Sequence, residues 1–283
     1  MTMLPLSPAI VVRPMKNSRN WQFSLLAWND KGIGDDALVH LTNLDDFFYA
    51  RKIEGITVEG CWDRDYDPGP EWVTVDQFNL KTVFLPFLTA HLYEHPELYI
   101  DAEPGFELNC LLRMLFDAVG SCRNFAQIFL RYYGPICERF LISQISTSHL
   151  EFLNLFGQWP FGTSALIKAF LTTTESPSLT LDARTEIYLD RDLLDVIFEK
   201  FEREQLTYLK ELHGKLKVPK TYLEQLGSEK VEKCSVSTPD GQEKLTWEIH
   251  GQSTVISLTV MLKTVGSNIF VSFNISCKYL KST

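Results

Sequence analysis

Two spacings of apolar residues alternate along the chain. Leu98-Tyr-Ile-Asp-Ala102 and Leu179-Thr-Leu-Asp-Ala183 are short extended segments with the same pattern. Each leads through a polar connection into a stripe at helical spacing. Leu111, Leu112, Leu115 and Phe116 share one helix face, and Leu193, Leu194, Ile197 and Phe198 share another. A second pair flanks the first. Ile56-Thr-Val-Glu-Gly-Cys-Trp62 matches Leu153-Asn-Leu-Phe-Gly-Gln-Trp159, and helical stretches follow near 76–93 and 163–172. In a third pair, the segment from Gln127 to Pro135 precedes an apolar stretch at 137–141. Its counterpart, from Tyr208 to Gly214, precedes one at 221–226.

Strand centres are therefore expected near residues 58, 99, 129, 153, 179, 209 and 234. After a first step of about 41 residues, the steps of roughly 24–30 lie close to the period of leucine-rich repeats. A lone strand and helix cannot bury an apolar stripe, whereas stacked units can. The expected fold is α/β: a leucine-rich-repeat-like βα solenoid with parallel strands, an N-terminal helical region and a C-terminal antiparallel β cap. The expected divisions are a capping region at 1–50, a βα repeat array at 51–237 and a β-rich cap at 238–283. The Asp35-Asp36 pair suits the start of a helix running to Tyr49. Alternating runs at 245–249, 255–260 and 269–273, with turn signals at 238–241 and 266–268, supply the cap. Matching pairs in one order also imply that the two halves descend from a single array.

Composition narrows the function classes. Of 283 residues, 45% are hydrophobic and 22% charged, enough for a sizeable core. No apolar run is long enough to span a bilayer, and the N-terminus lacks the pattern of a secretory signal. A cytoplasmic or nuclear location is expected. With 36 acidic and 27 basic residues the formal charge is −9, and no basic run offers a surface for phosphates. The charge balance therefore argues against a nucleic-acid partner. The scattered cysteines, Cys61, Cys110, Cys122, Cys137, Cys234 and Cys277, read as buried free thiols. The sequon Asn274-Ile-Ser276 matters only on a secreted chain.

Candidate chemistry is sparse. His91 and His95 have the i, i+4 spacing of a metal pair, but Pro96 ends any helix there and two further ligands are missing. Asp63, Asp65 and Asp67 imitate half of a calcium loop, which then fails at Pro68 and Thr74. No metal and no cofactor is implied. Asp101 and Asp182 occupy equivalent repeat positions, which suits a structural role better than a catalytic pair. No nucleophile, phosphate-loop or dinucleotide motif occurs. The informative feature is aromatic. Trp62, Tyr66 and Trp72 crowd into a charged, proline-containing stretch with Asp63, Asp65 and Asp67. Insertions in repeat arrays often project and bind, and exposed aromatics make good anchors. Trp62 fits the core equally well, as its counterpart Trp159 does.

From about 125 to 250 the chain resembles a nematode-expanded family of leucine-rich-repeat-like proteins grouped with F-box-associated proteins. The resemblance rests on Leu153-Asn-Leu-Phe-Gly-Gln-Trp-Pro160, Leu193-Leu-Asp-Val-Ile-Phe-Glu-Lys-Phe201, Val218-Pro219 and Leu245-Thr-Trp247, and covers about half the chain. It implies protein binding, with recruitment of substrates to ubiquitin-ligase components. The start departs from an F-box, because Leu4-Pro5 leads into Ile10-Val-Val-Arg-Pro14 instead of a helical leucine pattern. The expected function is thus a non-catalytic protein–protein interaction module, with a substrate-recruiting or scaffold role and a partner of unknown identity. The alternative is a hydrolase or transferase with an unrecognised site.

Overall fold

A computed structural model describes residues 7–15, 20–28, 38–40, 53–59, 72–120, 125–147, 149–175, 177–203, 212–227, 232–237, 242–250 and 254–279. The chain is mixed α/β and divides into two compact units, Met1–His149 and Leu150–Thr283.

In the first unit, β1 (Ser7–Pro14) and β2 (Trp21–Trp28) pair antiparallel. Further along come β3 (Leu38–His40), β4 (Ile53–Val58) and β5 (Val73–Val75), and both β3 and β5 pair antiparallel with β2. A helical run α1 follows through Gln77–Asn79, Leu80–Phe84 and Leu85–His91, with its middle turn wound as a π-helix. Asp76 caps it by accepting from the Asn79 N–H at 2.7 Å. Pro86 has no N–H to complete a helical bond to the preceding turn, which accounts for the irregular winding beside it. Then come β6 (Leu92–Ile100), α2 (Phe106–Val119), β7 (Gln127–Arg131) and α3 (Pro135–Ile145). Strands β1, β4, β6 and β7 are mutually parallel neighbours.

The second unit repeats the plan. Its order is β8 (Phe152–Phe156), α4 (Ser164–Thr173), β9 (Ser178–Leu181), β10 (Tyr188–Leu189), α5 (Arg191–Glu202), β11 (Leu212–Leu216) and α6 (Lys220–Gln225). Strands β8, β9 and β11 run parallel, and β10 takes over from β9 alongside β11. The chain closes with β12 (Glu232–Ser237), β13 (Glu243–His250), β14 (Thr254–Val265) and β15 (Asn268–Tyr279). These four form an antiparallel meander, and β15 docks antiparallel on β11.

The alternation seen in sequence decides which side of each sheet is buried. In unit 1 the aligned rows Ile10–Ile56–Leu98–Ile128 and Val12–Val58–Ile100–Leu130 are all buried. Helix α2 is the clearest covering element, with Leu108, Leu111, Leu112, Leu115, Phe116 and Val119 buried along one stripe. In unit 2 the corresponding rows are Leu153–Leu179–Leu212 and Leu155–Leu181. Gly214 follows, and there a Cβ would meet the Leu189 side chain at 3.1 Å, so close packing holds that place for glycine.

The helices that follow β4, β6, β7, β8, β9 and β11 and the C-terminal antiparallel region match expectation. Two elements differ. The N-terminal region, where described, is a β-hairpin plus β3, so the expected helix at 35–49 gives way to strand at 38–40. Residues 35–37 and 41–49 lie outside the described residues. The β-branched run Ile10-Val-Val12 finds a parallel partner in β4, and β2, its hairpin mate, offers an edge that Leu38–His40 occupies. The strand near 234 is β12 of the meander and pairs antiparallel with β13. The parallel strands therefore end at β11. Among the described residues no helix is long and apolar enough to cross a membrane.

Replacing Leu98 by Ala should destabilise the chain by about 2–5 kcal/mol in denaturant unfolding, because it empties the centre of a buried row. Thr57→Ala, on the opposite sheet face, should cost less than about 1 kcal/mol.

Candidate functional site

The side of the unit 1 sheet away from the buried rows carries polar and aromatic side chains. Strand pairing sets them in lines: Ala9–Gly55–Glu97–Gln127, then Val11–Thr57–Tyr99–Phe129. Tyr99 is 42% exposed, and its ring centroid lies 5.6 Å from that of Phe129 on the next strand. Glu97, Gln127, Phe129 and Thr57 are exposed or half-buried.

At the C-terminal end of these strands, Arg131 on β7 bonds Asp101 at 2.7 Å and Glu103 at 2.9 Å. Burial lowers the Arg131 pKa, but the two carboxylates outweigh it and hold the guanidinium firmly charged. The Tyr133 hydroxyl donates to the Ala102 carbonyl at 2.6 Å, tying the segment after β7 to the one after β6. Glu97 is exposed by area, yet its carboxyl has enough neighbouring atoms to lose part of its hydration. That desolvation, then the nearby Glu54 charge, push its pKa up.

Over β1 and β2 the same face is closed. Arg13 is 2% exposed. Its Nε donates to Gln22 Oε1 at 3.0 Å, and its guanidinium lies 3.4 Å from the centre of the Trp72 ring. Gln22 in turn reaches Thr74 at 3.5 Å. Trp72, expected as a partner anchor, is half-buried and serves as the platform for a buried cation. Trp62, Tyr66, Asp63, Asp65 and Asp67 lie outside the described residues.

The outer line of unit 2 is Asn154–Thr180–His213–Ser272. The two repeat-equivalent aspartates act as strand-end ties. Asp101 holds Arg131, as above. Asp182 accepts from the N–H of Gly157 at 3.1 Å, from the N–H of Arg184 at 3.0 Å and from the Arg184 guanidinium at 2.7 Å. Burial pushes the Asp182 carboxyl up, but the Arg184 side chain and these N–H groups outweigh it and bring it below the usual carboxylate range. Nearby, the Lys217 ammonium lies over the rings of Phe161 at 4.8 Å and Tyr188 at 5.6 Å, while Lys215 donates to the Thr185 carbonyl at 2.7 Å.

Other candidate chemistry disperses. His91 ends α1 with Nδ1 2.8 Å from the Phe87 carbonyl, meeting the last turn as a C-terminal histidine can. His95 lies on β6 and stacks on His149 at 5.0 Å, so the two histidines do not share a helix face. Among the described residues no group of three or more His, Cys, Asp or Glu is placed to hold a metal ion. Cys110 and Cys137 are free, and burial pushes the Cys137 thiol up to about 12, far from a thiolate at neutral pH. An open groove of about 440 Å³ between α1 and α2 has Leu85, Pro86 and Met114 in its wall, with Lys81 and Asp117 at hand.

Sequence reasoning passed over Glu97, Tyr99 and Phe129. Their signal was present: each alternates with buried Leu98, Ile100, Ile128 or Leu130, so they share the opposite face. Comparison with known proteins finds no matching family model, no matching curated protein and no matching solved structure.

Asp182→Asn should destabilise the chain at neutral pH. A carboxyl held below its ordinary range stabilises the fold above the unfolded pKa of about 3.9, and that stability is lost as pH falls through the folded value. Urea unfolding of both proteins should therefore show a gap at pH 7 that narrows below about pH 4.

Proposed function

We propose that the chain is a non-catalytic protein–protein interaction module, built as a leucine-rich-repeat-like βα solenoid whose open strand faces receive a partner. The observation that carries this reading is the pair of exposed Tyr99 and half-buried Phe129, set beside charged groups on the sheet face opposite the buried rows. Aromatic anchors ringed by polar residues are the usual energetic centre of protein interfaces. Neighbouring parallel strands follow one another in chain order within each unit, which is the arrangement a stacked βα array requires. The family resemblance adds a role, recruitment of substrates to ubiquitin-ligase components, in the cytoplasm or nucleus. The aromatic stretch with Trp62, Tyr66 and the aspartates is a second contact region in this scheme. In the sequence it comes shortly after β4.

The test is affinity capture from native extract, with captured proteins identified by mass spectrometry. Tyr99→Ala/Phe129→Ala should lose captured proteins by about tenfold or more, as expected for two anchor side chains, while unfolding like the parent. Undiminished capture by this folded variant removes the strand face from the scheme. Tyr66→Ala is the informative variant for the aromatic stretch, since Trp72→Ala would also strip the platform from buried Arg13.

A further inference from the structure

Two exposed carboxylates of unit 1, Glu54 and Glu97, form no ion pair among the described residues. Glu97 on β6 feels the charge of Glu54, which is exposed on β4 where the register of β4 with β6 shifts between Ile53 and Gly55, the strand partner of Glu97. Neither glutamate takes part in an ion pair with the described residues, whereas the neighbouring cation Arg131 is already engaged by Asp101 and Glu103. Like charge on a neighbouring strand does nothing to hold the two strands together, so stability gives no reason for this arrangement.

The surroundings suit a cation carried on a chain. Tyr99 follows Glu97 on the same face and presents a large exposed ring, and ring faces attract ammonium and guanidinium groups. Beside Glu97 the floor is low. Ala9 and Gly55 occupy its line, and a Cβ added at Gly55 would meet nothing closer than 3.7 Å. No bulky side chain of the line therefore stands between the two strands there, and an extended backbone can approach. With a formal charge of −9, the overall field of the chain favours approach by a basic segment over an acidic one.

We infer, on the premise that the chain is a binding module, that this face receives an extended protein segment bearing lysine or arginine. The cation of that segment sits between the Glu54 and Glu97 carboxylates and against the Tyr99 ring. The carboxylates supply charge selection, and the Tyr99–Phe129 pair supplies the apolar contact.

Fluorescence anisotropy on the full chain tests this with three labelled octapeptides of alternating sequence: Lys-Thr, Gln-Thr and Glu-Thr. The Lys-Thr peptide should bind, the Gln-Thr peptide about tenfold more weakly, and the Glu-Thr peptide not measurably. Glu54→Gln/Glu97→Gln should lower Lys-Thr affinity about tenfold and keep an unfolding midpoint no lower than the parent at neutral pH. Glu107→Gln/Asp117→Asn removes the same charge from α2 and should leave binding intact. Equal binding of the Lys-Thr and Gln-Thr peptides overturns the inference. So does parental affinity in the glutamate variant, or an equal loss in the α2 variant. Where these peptides fail but capture from extract still requires Tyr99 and Phe129, the charge assignment falls and the binding module stands. Where capture ignores Tyr99 and Phe129 as well, the binding face itself falls.

Discussion

A parallel strand cannot return through a tight turn, and the rest of this structure depends on that constraint. Each parallel pair needs a crossover, and here the crossovers from β4 to β6, β6 to β7, β8 to β9 and β9 to β11 contain helices. A helix with an apolar stripe must bury it, and the strands it joins offer a surface for doing so. The lines Ile10–Ile56–Leu98–Ile128 and Leu153–Leu179–Leu212 follow from this, with roughly 1.5–3 kcal/mol gained for each large apolar side chain fully buried. Away from β1 and β2, the opposite face of unit 1 is left outside the packing problem. Its residues are free to vary in chemistry because they do not hold the sheet to the helices.

Comparison of the units shows that freedom in use. Strand pairing makes Leu98 equivalent to Leu179 and Ile128 equivalent to Leu212, and all four are buried. One position further on, Tyr99 and Phe129 in unit 1 become Thr180 and His213 in unit 2. The strand-end aspartates sit between these extremes. Both tie down a connection, but Asp101 uses an arginine from the next strand, while Asp182 uses Arg184 from its own turn and the N–H of Gly157 from the preceding strand. Where β10 takes over along β11, Leu130 of unit 1 is replaced by Gly214, because Leu189 fills the space. The two units thus share most of their inner rows and differ in their outer ones.

What the sequence made legible follows the same division. Inner rows and helix stripes repeat at periods 2 and 3.6, so the strands near 58, 99, 129, 153 and 179 and the helices after them could be read directly. The strand near 209 was placed early; Leu212–Leu216 is where the alternation meets its neighbours on β9 and β15. Strands β1 to β3 were harder to see. Their pairing is with elements distant in sequence, and acidic residues before Leu38 mimic a helix start without deciding what the backbone pairs with. The outer site was overlooked because Trp62, Tyr66 and Trp72 look more conspicuous in a linear string than Tyr99 and Phe129. Only strand register sets those two rings side by side. Trp72 shows the converse, a conspicuous aromatic that a buried arginine already occupies.

Uncompensated charge is the remaining piece, and it has a physical logic. A like-charge pair such as Glu54 and Glu97 weakens strand pairing slightly, a penalty that an inner row of leucines and isoleucines can absorb. Placed on the buried face, the same pair would unfold the sheet, since an ion stripped of water there has nothing to offset it. The outer face is therefore where this fold can hold an unmet electrostatic demand. A partner's cation can satisfy it without disturbing the rows beneath. The alternation that buries Leu98 and Ile100 is also what points Glu97 and Tyr99 outward together.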